Sequence, residues 1–386
     1  MFWFILFFTL LREFDMRRKL HDGRSDGLVA VQSLNPDEIR SFSDLLDAMG
    51  RTSFGGRRLG EAFAVMQEMI MDPDCYVVGT FSGAMTIAKM GTVLCRMIDH
   101  GMLQAVVATG ALMAHGFSES IGCTHYKVSA KMSDSELFAQ GYNRVYDTLE
   151  MEANLNSVEQ VVSATLSRIP EDTVLCSEYV TRELGRTLAE HYPGDGVLKS
   201  AYLKGVPVYI PAFTDSELGL DISTWAMRRG LSAAGCNSKK DRAGATLSQC
   251  LSSIPVFNPF LDLNSYTTNV MAAKTLGIFT IGGGVPRNWT QQVGPYMDIT
   301  NVRVGTGFTP PRFKYGVRIC PEPDYWGGLS GCTYSEGVSW GKFVPPEEGG
   351  RFAEVLSDAT LVWPLLVKGL LEKLGSLTGR RKGIKG

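Results

Sequence analysis

Residues 276–286 read LGIFTIGGGVP. Leu276, Ile278, Phe279 and Ile281 make a short apolar run with no polar alternation, as a strand buried on both faces requires. The three glycines that follow let backbone amides come close to a phosphate group. The same grammar recurs at residues 76–85 (YVVGTFSGAM), 103–113 (LQAVVATGALM), 206–219 (VPVYIPAFTDSELG) and 353–366 (AEVLSDATLVWPLL). Between these runs lie helical patterns. Residues 92–101 (TVLCRMIDHG) end on a glycine stop, 156–169 (NSVEQVVSATLSRI) open on an Asn/Ser cap, and 265–277 (SYTTNVMAAKTLG) again end on glycine. The alternation predicts an α/β fold: a Rossmann-like, doubly wound, mostly parallel sheet with helices on both faces.

Such sheets bind ligands beyond the carboxyl ends of their strands. The loops expected there are Ser82-Gly83-Ala84, Thr109-Gly110-Ala111, Thr214-Asp215-Ser216, Gly282-Gly283-Gly284 and Ser357-Asp358-Ala359. Each alone is an ordinary turn. Five on one edge point to a dinucleotide, although none matches the GxGxxG fingerprint. Residues 228–251 and 301–314 read as surface loops, and no linker divides the chain. The expected organisation is an N-terminal extension over residues 1–40, one domain over 41–376 and a basic tail over 377–386.

With 386 residues, 44% hydrophobic and 20% charged, the chain can bury a large core. A net charge of −2 gives no basic footprint for nucleic acid. Eight cysteines without regular spacing fit buried thiols in a reducing, cytoplasmic compartment. His115 and His125 lie ten apart with no ligand partner at metal spacing, so no metal site is expected. The opening MFWFILFFTLL is too short to span a bilayer. It reads as a start-site artefact or a packed extension, with a membrane-surface anchor as the alternative.

One lysine stands out. In residues 334–343, YSEGVSWGKF, Lys342 follows an indole and a glycine, six residues after Glu336. A partly desolvated lysine loses pKa and becomes an amine nucleophile able to form a Schiff base. Glutamate and indole together suit an alkylammonium. The segment can hold a cationic amine and attack a carbonyl or imine.

EGVSWGK resembles the active-site segment of the deoxyhypusine synthase family. The similarity runs in order through residues 50–70 (GRTSFGGRRLGEAFAVMQEMI), FSGAMTIAKMG, ATGALMAHGF, HYKVSAKMSDSELFAQGYNRVYDT, PAFTDSELGLD, TIGGGVPRNW, WGGLSGCTYSEGVSWGK and SDATLVWPLLV, covering residues 45–375. The resemblance implies NAD as cofactor, spermidine as aminobutyl donor and a lysine imine as intermediate. It also implies a homotetramer with sites between paired subunits. Lys342 would be the nucleophile, with Glu336, Trp340, His115, Trp326, Asp221 and Asn288 around the amines. Ser82, Gly83, Thr109, Gly110, Ala111, Asp215, Gly283, Gly284, Ser330, Asp358 and Ala359 would line the cofactor site.

The departures concern charge. Trp326 and Leu329 stand where the eukaryotic enzymes carry two polyamine-binding aspartates. Asn288 replaces a histidine, Ala114 and His115 replace an acidic pair, and Asp221 is shifted by one. Each lost carboxylate–ammonium pair removes on the order of 1.5–3 kcal/mol of grip. The pattern is closer to the bacterial deoxyhypusine synthase-like branch, some members of which are similar to homospermidine synthases using putrescine as acceptor. The other acceptor is a lysine of the hypusine-containing translation factor. A non-catalytic binder of NAD or polyamine, and a hydrolase on the same scaffold, are the remaining readings.

Overall fold

The computed structural model describes residues 21–129, 132–328 and 332–382, those after 375 by backbone alone. The apolar opening, Leu329 and Ser330 lie outside the described residues. The described residues form nine strands: β1 (Cys75–Phe81), β2 (Ala105–Ala108), β3 (Tyr126–Lys127), β4 (Tyr142–Val145), β5 (Thr148–Met151), β6 (Val208–Tyr209), β7 (Thr275–Ile281), β8 (Tyr315–Cys320) and β9 (Arg351–Leu356). Six form one all-parallel sheet in the order β6-β2-β1-β7-β8-β9. The expected doubly wound α/β architecture is therefore present. Strand order reverses between β1 and β7, so the crevice that such sheets offer to ligands opens above Phe81 and Ile281.

Two cores flank the sheet because successive side chains point to opposite faces. Val77, Phe81, Phe279, Ile281, Val317 and Val355 pack under the helices Phe54–Met71, Gly91–Asp99, Gly110–Ser120 and Ala359–Lys382. Val78, Val107, Ile278 and Tyr209 turn the other way, toward Tyr266, Val293, Phe313, Tyr334 and Phe343. The second, smaller core carries the lysine segment.

Four sequence readings change. Residues 228–251 are helical in large part, through the end of Glu217–Ala233 and two short helices, Lys239–Ala243 and Leu247–Leu251. Ser238 and Thr246 cap the short helices in reciprocal boxes with Asp241 and Gln249, so polar composition here marks caps rather than loop. Residues 301–304 close the helix Val293–Val304, which ends on Gly305 at φ 79°. The helix before β7 is Phe260–Ala272, and Gly277 lies inside β7 rather than stopping that helix. The helix read from Asn156 begins at Glu152.

Gly60 allows the helices Phe42–Gly50 and Phe54–Met71 to touch. A Cβ there would stand 2.1 Å from the Gly50 nitrogen and 2.7 Å from the Leu46 carbonyl oxygen. Backbone cannot yield as a side-chain tip can, so Gly60→Val is expected to cost about 3 kcal/mol. The urea midpoint of the variant checks this; an unchanged midpoint would mean the helices are free to part.

Candidate active site

Lys342 is placed by the way the helix before it stops. Thr333 caps Tyr334–Ser339 by accepting from the Glu336 N–H at 3.0 Å. At the other end Gly341 adopts φ 69°. Its N–H donates to Val338 O at 3.0 Å, and the Lys342 N–H donates to Gly337 O at 3.1 Å. This double bond pattern with a left-handed glycine is a Schellman stop, which explains the Trp-Gly-Lys order. The chain then reverses and pairs with the strand lead-in: the Phe313 N–H donates to Lys342 O at 3.0 Å and the Val344 N–H to Phe313 O at 2.9 Å. Gly294 lets the next helix approach, since a Cβ there would meet Gly341 O and Pro311 O at 2.9 Å.

The side chain that results is 7% exposed. Its Nζ donates to Asn288 Oδ1 at 3.3 Å and stands 5.7 Å from the Trp340 ring centroid. Asn288 belongs to the helix Gly284–Gln291, anchored by Trp289 packing on Tyr266 and Tyr209 at 4.8 and 5.6 Å. It lies four residues, about 6 Å of helix rise, beyond Gly284. The ammonium is thus tied to the helix that rises from the crevice at Gly284.

Burial lowers the Lys342 pKa below the ordinary lysine range. The neighbouring Cys332 and Glu336 partly oppose this, and Arg287 adds to it. Arg287 is itself 2% exposed, donates to Cys332 O at 2.6 Å and lies over the Tyr334 ring at 5.2 Å. A second buried guanidinium, Arg318, reaches the same carbonyl at 3.2 Å and Glu354 at 2.6 Å. A cation fixed beside an amine disfavours its protonation. Arg287→Met is therefore expected to move the Lys342 pKa upward, so the rising limb of imine formation shifts to higher pH. Measuring that limb by borohydride trapping across pH checks the sign; no displacement would remove Arg287 from the account.

The strand-tip loops hold one another. Ser82 Oγ donates to Gly283 O, and Thr109 Oγ1 donates to Gly83 O at 2.6 Å. Gly83, Gly282 and Gly284 have φ of 73°, 77° and 57°. Gly110 packs against Ser216, 2.3 Å from where a Cβ would stand. Asp215 and Asp358 are exposed on the rim; Asp358 Oδ1 accepts from Thr360 N–H at 2.7 Å. Ala359 starts the last helix and is buried, while Ala111 lies in the first turn of Gly110–Ser120. Small residues, positive-φ glycines, a helix amino end and two rim carboxylates fit a dinucleotide's pyrophosphate and ribose hydroxyls.

Asp221 and His115 form a separate group, both near Glu217, and Trp326 joins neither. Asp221, on Glu217–Ala233, has its carboxyl pushed up to about 7 by burial and by Glu159 and Glu217. Its Oδ2 is buried without a hydrogen-bond partner. His115 Nδ1 meets Glu150, a residue that no local motif singles out. Burial lowers the imidazole's pKa, but the Glu150 carboxylate outweighs it and leaves it raised. Glu150 is 1% exposed; burial alone would raise its pKa, yet His115, His125 and Ser118 bring it down to about 2. No hydrogen bond or ion pair joins this group to Lys342 among the described residues. Trp326 is 58% exposed, next to Tyr325.

The chain thus combines a doubly wound parallel sheet, a glycine-lined switch point and a nearly buried lysine amine. The family model "Deoxyhypusine synthase" matches residues 44–370. The chain is 31% identical over 341 residues to "Probable deoxyhypusine synthase 2" of Methanosarcina acetivorans, covering 88% of this chain and 89% of that protein. It is 29% identical over 324 residues to "Deoxyhypusine synthase-like protein" of Chlorobaculum parvum, covering 83% and 84%. The crystal structure of a candidate deoxyhypusine synthase from Entamoeba histolytica shares the fold, with TM-score 0.53 at 12% identity over 88% of this chain and 96% of that one. The chain belongs to the deoxyhypusine synthase family, a family of transferases. No helix among the described residues is long and apolar enough to cross a membrane.

Proposed function

We propose that the protein transfers the 4-aminobutyl group of spermidine through an imine on Lys342 to an acceptor amine, with NAD as cofactor. The observation that carries this is the Lys342 amine, nearly buried, lowered in pKa and bonded to Asn288 on the helix that starts at Gly284. NAD, when bound at the strand tips, supplies the two-electron oxidation of the spermidine secondary amine and the matching reduction of the product. Lys342 in its neutral form adds to the substrate imine carbon. The bond from that carbon to the leaving nitrogen breaks, and 1,3-diaminopropane departs with the proton. The acceptor amine then adds to the Lys342 imine, and the lysine leaves as the free amine. Asn288 positions Nζ, while Trp340 and Glu336 hold the alkylammonium by ring face and charge. An ammonium beside Asp221 would restore the ionised carboxylate that burial now disfavours.

The candidate residues fall into two groups within one chain, and the indole beside the lysine, Trp340, is 63% exposed. That pattern supports sites completed by a second subunit of a homo-oligomer, a tetramer by family; a reducing, cytoplasmic setting fits its free cysteines. Putrescine is the favoured acceptor, because Trp326 and His115 replace carboxylates of the eukaryotic pattern. Incubation with NAD, spermidine and putrescine is expected to yield homospermidine and 1,3-diaminopropane. Aminobutylation only of a hypusine-type translation factor would transfer the proposal to a protein acceptor. Ligand binding without diaminopropane release would leave a non-catalytic binder.

A further inference from the structure

His115, His125 and Glu150 converge from three places in the chain. His115 lies on the helix Gly110–Ser120, His125 in the loop after it, and Glu150 on β5. One ligand atom from each falls within 4.8 Å of the others. The His125 side chain is fully buried; its Nε2 stands 3.1 Å from Glu150 Oε1, yet makes no aligned hydrogen bond. Glu150 is held from behind by Ser118 Oγ at 2.7 Å. Two imidazoles thus converge on one fixed, buried carboxylate.

We propose that His115, His125 and Glu150 form a binding site for a divalent cation of the zinc class. Two imidazoles and one carboxylate are the donor set that zinc takes with an open fourth position. In tetrahedral coordination, zinc–nitrogen bonds of about 2.0–2.1 Å place two ligand atoms roughly 3.4 Å apart, so the set closes by side-chain movements on the order of 1–1.5 Å. The Ser118 hydroxyl fixes the carboxylate as ligand-supporting groups do elsewhere.

Lys89 modulates the site. Its Nζ lies 2.7 Å from His125 Nδ1 and 3.2 Å from Glu119 Oε1. Metal on Nε2 leaves the proton on Nδ1, so the ammonium must shift to Glu119. Lys89 therefore competes with the cation. The bound ion would tie β5 and the small β3-β5-β4 sheet to the helix rising from the β2 tip loop.

The test uses chelator-stripped full-length protein titrated with Co²⁺ and Zn²⁺. One equivalent of Co²⁺ per chain is expected, with visible ligand-field bands displaced by Zn²⁺ and a rise in Tm on zinc addition. His125→Gln and Glu150→Gln are each expected to weaken binding at least tenfold, and Lys89→Met to tighten it. Should a glutamine variant fail to fold, the Lys89→Met comparison with the native chain decides. Absence of a stoichiometric Co²⁺ spectrum, or binding indifferent to all three substitutions, would overturn the proposal and leave a proton-linked network.

Discussion

Lys342→Arg is expected to reduce product formation from spermidine by on the order of 10³-fold or more while leaving NAD affinity unchanged. Arginine keeps a cation over the Trp340 face, and it can still donate to Asn288. What it lacks is a neutral amine at working pH, because its guanidinium does not deprotonate in proteins. The variant therefore separates electrostatic positioning from nucleophilicity. Activity retained by Lys342→Arg would show that the cation, not the amine, matters. Loss of NAD binding together with activity would point to a collapsed site instead. The free-amine form has its own pH signature. Because burial lowers the Lys342 pKa, the neutral fraction grows as pH rises through a point below the ordinary lysine range. The same group makes the folded state gain stability across that window, since the unfolded chain holds the proton longer.

Gly284→Val is expected to weaken NAD binding by about a hundredfold, roughly 2.7 kcal/mol. Gly284 has φ 57°, at the first turn of the helix whose amino end faces the crevice. A β-branched residue there costs about 1–3 kcal/mol of backbone strain. Nearby atoms do not block the side chain itself, since the closest is Ser82 Oγ at 3.8 Å. The loss therefore comes from bending the loop and filling the place where a phosphate would meet the amides. Calorimetric titration with NAD measures it, with thermal melting as the fold control. Native affinity in a folded variant would move the dinucleotide away from the switch point.

The sheet was legible where strands are apolar runs that end in small residues, as in β1, β2, β6, β7 and β9. Strand β8 was hidden because Arg318 interrupts YGVRIC, a charge that the fold satisfies with Glu354 and the Cys332 carbonyl. The β3-β5-β4 sheet was hidden by shortness and polarity; its hairpin turns through Tyr146 at φ 53°, a residue type that gives no turn signal. Lys342, Trp340 and Glu336 were readable as a local sequence. Their electrostatics were not, because Arg287 acts from another helix and its burial cannot be seen in the chain order. Glu150 escaped notice for the same reason: it reaches His115 and His125 only through β5. The polar caps of the short helices after Ser238 and Thr246 looked like loop because capping residues and loop residues are the same types.

The central claim is that the Lys342 amine forms a covalent imine with the aminobutyl group. Protein incubated with NAD and spermidine, reduced with borohydride and digested, is read by mass spectrometry. The account predicts one aminobutyl adduct, on the peptide carrying Lys342, dependent on both NAD and spermidine. An adduct on a different lysine, or 1,3-diaminopropane released with no adduct on Lys342, would contradict it.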